Sequence, residues 1–235
     1  VDERSPESVV MYDMAHVLGL VGPSFQEPFK EGAHVVCGST HKTYFGSQRG
    51  IVAVDLCEKD ILYPFWEAIQ RRAFPGSTSN HHLGTLLGLL MASYEMNAFR
   101  GEYQEKCMAN ARAFATALSD RGLDVAGDPS ISFTETHQVI LNVGFARGPE
   151  IARRLEDNNI VVNYQAGPED EGFTASGALR MGVAEMTRFG MEPADFEELA
   201  GMMEDVVVSG RDVKEAVTRF RGRFLDMRYC FSGSE

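Results

Sequence analysis

The first apolar positions of the chain come in short, unbroken runs. Ser8-Val9-Val10-Met11-Tyr12, Ala33-His34-Val35-Val36-Cys37 and Gly50-Ile51-Val52-Ala53-Val54 each have the length of a strand buried on both faces. Polar clusters follow the first two, Asp13-Met14-Ala15-His16 and Gly38-Ser39-Thr40-His41-Lys42-Thr43, and a turn is expected around Gly46-Ser47-Gln48-Arg49. Such strands predict a twisted α/β sheet, whose ligands sit beyond the strand ends. The period then changes. Residues 59–72 read as a helix, and Leu83, Leu86, Leu87, Leu90, Met91, Tyr94 and Met96 recur at helical spacing, which predicts a core-facing stripe. Another helix is expected from Glu102 to Arg121. Between them Phe74-Pro75-Gly76-Ser77-Thr78-Ser79-Asn80-His81-His82 is a loop leading into a helix N-terminus.

From about residue 123 a smaller α+β pattern takes over. Strands are expected at Gln138–Val143, Ile160–Val162 and Ala178–Met181, and a helix from Pro149 to Asn158. A Gly- and acid-rich loop runs to Thr174. The final helix opens near Glu192-Pro193-Ala194, where proline suits a first turn, and Phe196, Leu199, Met203 and Val206 form its apolar face. The tail, Cys230 to Glu235, is expected to fray.

Composition narrows the class. With 235 residues, 44% hydrophobic and 24% charged, this is an ordinary globular chain of one large domain or one and a half. A net charge of −12 disfavours nucleic acid as a partner. No run of some twenty apolar residues is present to cross a membrane, and Val-Asp-Glu-Arg-Ser-Pro at the start lacks a basic-then-apolar signal pattern. Cys37, Cys57, Cys107 and Cys230 stand far apart without Cys-x-x-Cys spacing, so reduced thiols, a cytoplasmic setting and no metal site are expected.

Candidate chemistry collects at the strand ends. Lys42, beside His41 at the mouth of a buried sheet, is expected to carry a partly desolvated, nucleophilic amine. Asp13 ends a neighbouring strand, where a carboxylate can pair with a cationic ring nitrogen, and His16 can lie flat against such a ring. Arg180, on a later strand, offers a planar fork for a carboxylate. Together these four describe a pyridoxal-phosphate site.

The motifs Asp13-Met14-Ala15-His16-Val17-Leu18-Gly19-Leu20-Val21, Gly38-Ser39-Thr40-His41-Lys42-Thr43, Phe74-Pro75-Gly76 and Ser176-Gly177-Ala178-Leu179-Arg180-Met181-Gly182 resemble serine hydroxymethyltransferase in content, order and spacing. The resemblance covers nearly the whole chain. It implies an α/β, fold-type I pyridoxal-phosphate architecture, with the end of the large cofactor domain over 1–122 and a small α+β C-terminal domain over 123–235. It implies that Lys42 bonds the cofactor, Asp13 holds the pyridine nitrogen, His16 meets the ring, Ser39 and His41 lie beside it, and Arg180 binds the amino-acid carboxylate. Ser79-Asn80 replaces the family's phosphate-reaching glycine pair, and His81-His82 follows. Gln165 replaces a folate-contacting asparagine, and Gly182-Val183-Ala184-Glu185 replaces Gly-Thr-Pro-Ala, which leaves tetrahydrofolate dependence open.

A full-length relative has nearly as much chain again before the strand that ends in Asp13. That half comes from another polypeptide, or the sequence is a fragment, or the site is dead. The expected reading is an enzyme, or a subunit of one, that makes or breaks the Cα–Cβ bond of a β-hydroxy-α-amino acid such as serine or threonine. Its expected partner is a complementary chain like the N-terminal half, in a hetero-oligomer. The alternatives are a folate-independent threonine transaldolase and a non-catalytic scaffold subunit.

Overall fold

Strand β1 (Met11–Asp13) pairs in parallel with β2 (Val35–His41), which returns antiparallel as β3 (Phe45–Val54), giving the sheet order β1-β2-β3. The computed structural model describes residues 5, 8–167, 170, 172 and 175–232. Two units divide it, Val1–Arg100 with Phe231–Glu235, and Gly101–Cys230. This division falls inside one helix, whereas the change of sequence pattern falls at 122/123.

In the first unit the hairpin turns at 42–44, and the expected turn at Gly46–Arg49 is instead part of β3. Thr40 explains the correction. Its buried hydroxyl lies 2.6 Å from the Ser47 carbonyl and accepts the Arg49 N–H at 3.1 Å. That bond holds 47–49 in extended backbone opposite the register shift between Ser39 and His41. Helix α1 (Tyr63–Arg71) begins with a proline in its first turn, and an irregular π-type turn follows over Arg72–Ser77.

The two helices expected over 83–121 are one, α2 (Leu83–Asp120), which runs from the first unit into the second. Its first half meets the hairpin on one face, where Tyr44 and Ser93 share a 2.6 Å hydroxyl contact. Arg49 donates from Nη1 to the His82 carbonyl at 3.1 Å and to Thr85 Oγ1 at 2.8 Å. The opposite face corrects the expected core stripe. Leu83, Leu86, Leu87, Leu90, Met91 and Tyr94 are all exposed, with Leu87 at 65%, and only Met96 of that series is buried. Helical spacing reveals an apolar face but not what covers it. The tail is also more ordered than expected up to Phe231, whose N–H donates to the buried Glu95 at 3.2 Å and whose ring sits 5.5 Å from that of Phe99. Residues 233–235 of the expected frayed tail lie outside the described residues.

The second unit is built on an antiparallel sheet. Strands β4 (Asp124–Val125), β5 (Gln138–Asn142), β6 (Asn163–Gln165) and β7 (Ala178–Gly182) lie in the order β4-β5-β7-β6. Alternation in β5 puts Val139 and Leu141 into the core. Helix α3 (Gly148–Asp157) adds Ile151 and Leu155, a short α4 (Ala184–Arg188) follows β7, and α5 (Pro193–Val207) adds Phe196, Ala200, Met203 and Val206. A reciprocal cap between Glu192 and Asp195 starts α5. Tyr103, Cys107, Ala111, Phe114 and Leu118 of α2 complete this core, with the Phe114 and Phe196 rings 5.5 Å apart.

Two expectations shift here. The strand expected at Ile160–Val162 lies at β6, because Ile160 ends α3: Asn159 adopts φ 63° and the Ile160 N–H returns to the Leu155 carbonyl at 2.9 Å. Ile160 is apolar as the residue that closes a helix cap, and Val161 is exposed. The helix expected to be final is followed by α6 (Lys214–Arg221), which buries only Val217 and Phe220. Residues 168, 169, 171, 173 and 174 of the acid-rich loop before β7 lie outside the described residues, but Asp170 is described and accepts the N–H groups of Gly167 at 2.7 Å and Gly177 at 2.8 Å. Among the described residues no helix is long and apolar enough to cross a membrane, and no cluster of His, Cys, Asp or Glu is arranged to hold a metal.

Candidate active site

Five of the residues singled out by sequence gather at one end of the β1-β2-β3 sheet. Asp13 is the last residue of β1 and Cys37 is its register partner on β2. The Asp13 carboxylate is exposed and accepts the Ala15 N–H at 2.9 Å, which turns the chain sharply off the strand. It also faces the Cys37 thiol. Burial, then the Asp13 charge and a hydrogen bond to it, push that thiol up from its ordinary pKa, so it stays protonated beside the carboxylate. The Met14 N–H bonds the Cys37 carbonyl at 2.8 Å, and the half-buried His16 follows within the same turn.

Ser39 and His41 lie on β2, and Lys42 opens the hairpin turn. The Lys42 amine donates to Ser39 Oγ at 3.3 Å. Its expected partial desolvation is not provided by this chain: Lys42 and His41 are both exposed, because a hairpin turn projects from the sheet instead of sinking into it. Thr43, the next residue, is buried, with 1% of its surface exposed. In the sequence it is one member of the Gly38–Thr43 motif, with no pattern of its own to mark it.

Ser79 and Asn80 are exposed in the segment before α2. The Asn80 side chain accepts the His81 N–H at 2.9 Å, so one backbone donor of this stretch is already engaged.

Arg180 belongs to the second unit. It is half-buried at the centre of β7, opposite Ile140 of β5 and Asn163 of β6, between the buried Leu179 and Met181. With Asn159, Asn163, Glu185 and Arg221 it contributes the polar part of an otherwise mainly apolar cavity of about 470 Å³. Gln165 pairs with Ala178 two positions along the same ladder.

A primary amine, a carboxylate and an imidazole-bearing turn at one sheet end fit a pyridine aldehyde. The amine can bond the aldehyde carbon and the carboxylate can receive the ring N–H. The segment around Ser79 and Asn80 presents exposed hydroxyl and amide groups.

The architecture is that of a fold-type I pyridoxal-phosphate enzyme. A crystal structure of L-threonine transaldolase from Pseudomonas fluorescens in its internal aldimine state superposes with a TM-score of 0.88 at 30% identity, covering 97% of this chain and 52% of that one. A family profile described as serine hydroxymethyltransferase matches residues 4–203, and the chain belongs to that family. It is 40% identical over 230 residues to the serine hydroxymethyltransferase of Methanothermobacter thermautotrophicus, covering 96% of this chain and 52% of the relative. The enzyme of that name from Archaeoglobus fulgidus is likewise 40% identical, over 233 residues, with 96% and 51% covered. The chain thus spans about half the length of the curated relatives it matches. Family membership implies pyridoxal 5'-phosphate as the cofactor.

Proposed function

We propose that this chain carries the cofactor lysine of a pyridoxal-phosphate enzyme that makes or breaks the Cα–Cβ bond of a β-hydroxy-α-amino acid such as serine or threonine. The observation that carries this reading is the convergence of Lys42, Ser39, Asp13 and His16 on one end of a single sheet. When bound, the cofactor supplies a ring that accepts the electron pair released at Cα. Lys42 would hold it covalently, and Ser39, already bonded to the amine, would orient that amine. Asp13 would accept the ring N–H and keep the ring positively charged. His16 would lie against the ring, with His41 beside it, and Ser79 and Asn80 would donate to the phosphate. Arg180 would grip the substrate carboxylate with two parallel hydrogen bonds. Incubation with pyridoxal 5'-phosphate, borohydride reduction and peptide mapping test the assignment: the label belongs on Lys42, and a label elsewhere removes it.

Whether the aldehyde fragment travels on tetrahydrofolate or free is a finer point. Gln165 in place of the family asparagine and the likeness to a threonine transaldolase support the folate-independent reading. Product formation from L-threonine or glycine plus aldehyde, without folate, tests it.

The working form we propose is a hetero-oligomer in which a complementary chain, similar to the N-terminal half of the family, completes the site. The exposed apolar face of α2 supports this, since a stripe of leucines is costly to leave in water. Co-expression with such a chain, followed by mass and absorbance measurements, is the test. A soluble, cofactor-loaded and active homo-oligomer would overturn it.

A further inference from the structure

We propose that Thr43 is a positioning residue of this site: its hydroxyl fastens the turn that carries His16 to the strand end that carries Lys42. This rests on the reading above, in which Lys42 and His16 flank one ring. The geometry is specific. Thr43 Oγ1 donates to the His16 carbonyl at 2.8 Å and accepts the Gly19 N–H at 3.0 Å, so one buried hydroxyl is used in both directions. Gly19 sits in a one-turn 3-10 helix over Leu18–Leu20, and a Cβ there would be driven into the Thr43 carbonyl. Only glycine allows the two backbones to approach this closely. The other end of the same turn is tied to β2 by the Met14 N–H on the Cys37 carbonyl at 2.8 Å. The segment 14–20 is therefore pinned at two points along the strand that delivers Lys42, and the second pin is the residue next to that lysine.

Lys42 and His16 are 26 positions apart in sequence, and the Thr43 contacts link the backbone that carries one to the backbone that carries the other. The Thr43 contacts set the spacing of these two backbone segments, because Thr43 adjoins Lys42 and its hydroxyl bonds the His16 carbonyl directly. Loss of the hydroxyl would let the His16 turn drift from the lysine without unfolding the sheet.

The test uses the full chain co-purified with its complementary half, as wild type and as Thr43→Val, Thr43→Ser and Gly19→Ala. Three quantities are read: amide exchange at Gly19, the His16 imidazole shifts by NMR, and the rate at which pyridoxal 5'-phosphate becomes fixed to Lys42 under borohydride. Thr43→Val should speed Gly19 exchange, move the His16 shifts and slow fixation about tenfold, the size of effect of losing one or two neutral hydrogen bonds. Thr43→Ser should restore all three, and Gly19→Ala should reproduce the valine variant. Unchanged fixation in Thr43→Val, or no rescue by serine, overturns the proposal. If the valine variant does not fold, the wild type still decides, because an unprotected Gly19 amide refutes the contact. No fixation at Lys42 in wild type refutes the cofactor reading instead, and the Gly19 and His16 measurements then judge the Thr43 link alone.

Discussion

Replacing Leu87 and Met91 with glutamate places two charges one turn apart in the middle of the exposed α2 stripe. Leu87 is 65% exposed and Met91 is 54% exposed, so neither substitution removes a packed side chain. Glutamate is also a good helix former, and the chain's own stability should change by less than about 0.5 kcal/mol. Assembly is another matter. Six large side chains about half exposed present on the order of 600 Å² of apolar surface, at the upper end for a monomer and close to one partner's share of a standard interface. Covering Leu87 and Met91 removes about 100 Å² each from water, worth roughly 2.5 kcal/mol apiece at 25 cal/mol per Å². Charging both should weaken association with the complementary chain by about 10³-fold or more, given the added cost of desolvating carboxylates. The assay is sedimentation or light scattering of the co-expressed pair, with denaturant unfolding of the variant alone as control. A double variant that assembles like wild type would refute the argument that this face is covered in the working protein.

Other expectations follow from individual residues. Arg180→Lys keeps the charge but loses the fork, so amino-acid affinity should fall by about 2–4 kcal/mol in calorimetry while cofactor absorbance stays. Phe196→Ala should cost about 3–5 kcal/mol in denaturant unfolding, because the ring is buried against Phe114. Burial pushes the Cys107 thiol from 9.0 up to about 12, so the folded state holds its proton more tightly than the unfolded chain. Its contribution is complete below pH 9 and is lost as pH rises toward 12, and Cys107→Ala should flatten that alkaline limb, leaving the parts due to Tyr103 and Tyr229. At neutral pH a maleimide should label the exposed Cys57 and spare Cys107.

The three strands of the first sheet and the polar clusters at their ends were legible because short apolar runs encode them directly, whereas their order came only from the structure. Asp13, Ser39, His41 and Lys42 stand at or beside strand ends where the pattern puts them. What was not legible depends on partners distant in sequence. The Leu83–Tyr94 stripe reads as core in one dimension, and only three dimensions show that it stays exposed among the described residues. Lys42 reads as desolvated from its place at the mouth of a buried sheet, yet a three-residue turn lifts it into solvent. Ile160 counts as strand by hydrophobicity and belongs to a helix cap. Thr43 was invisible as a separate contributor because its role is two hydrogen bonds to backbone groups of 16 and 19, which no local pattern records. Helix α6 was missed because charge dominates its composition and two buried residues leave little periodicity.

The measurement that tests the central claim most directly is cofactor mapping on the co-purified pair. The complex of this chain with a complementary half is saturated with pyridoxal 5'-phosphate, scanned in the visible, reduced with borohydride and digested for mass spectrometry. The account predicts a visible band that borohydride abolishes, with the reduced cofactor on the peptide holding Lys42 and no label in a Lys42→Ala complex. Label on a lysine of the complementary chain, or a visible band that survives Lys42→Ala, would contradict it.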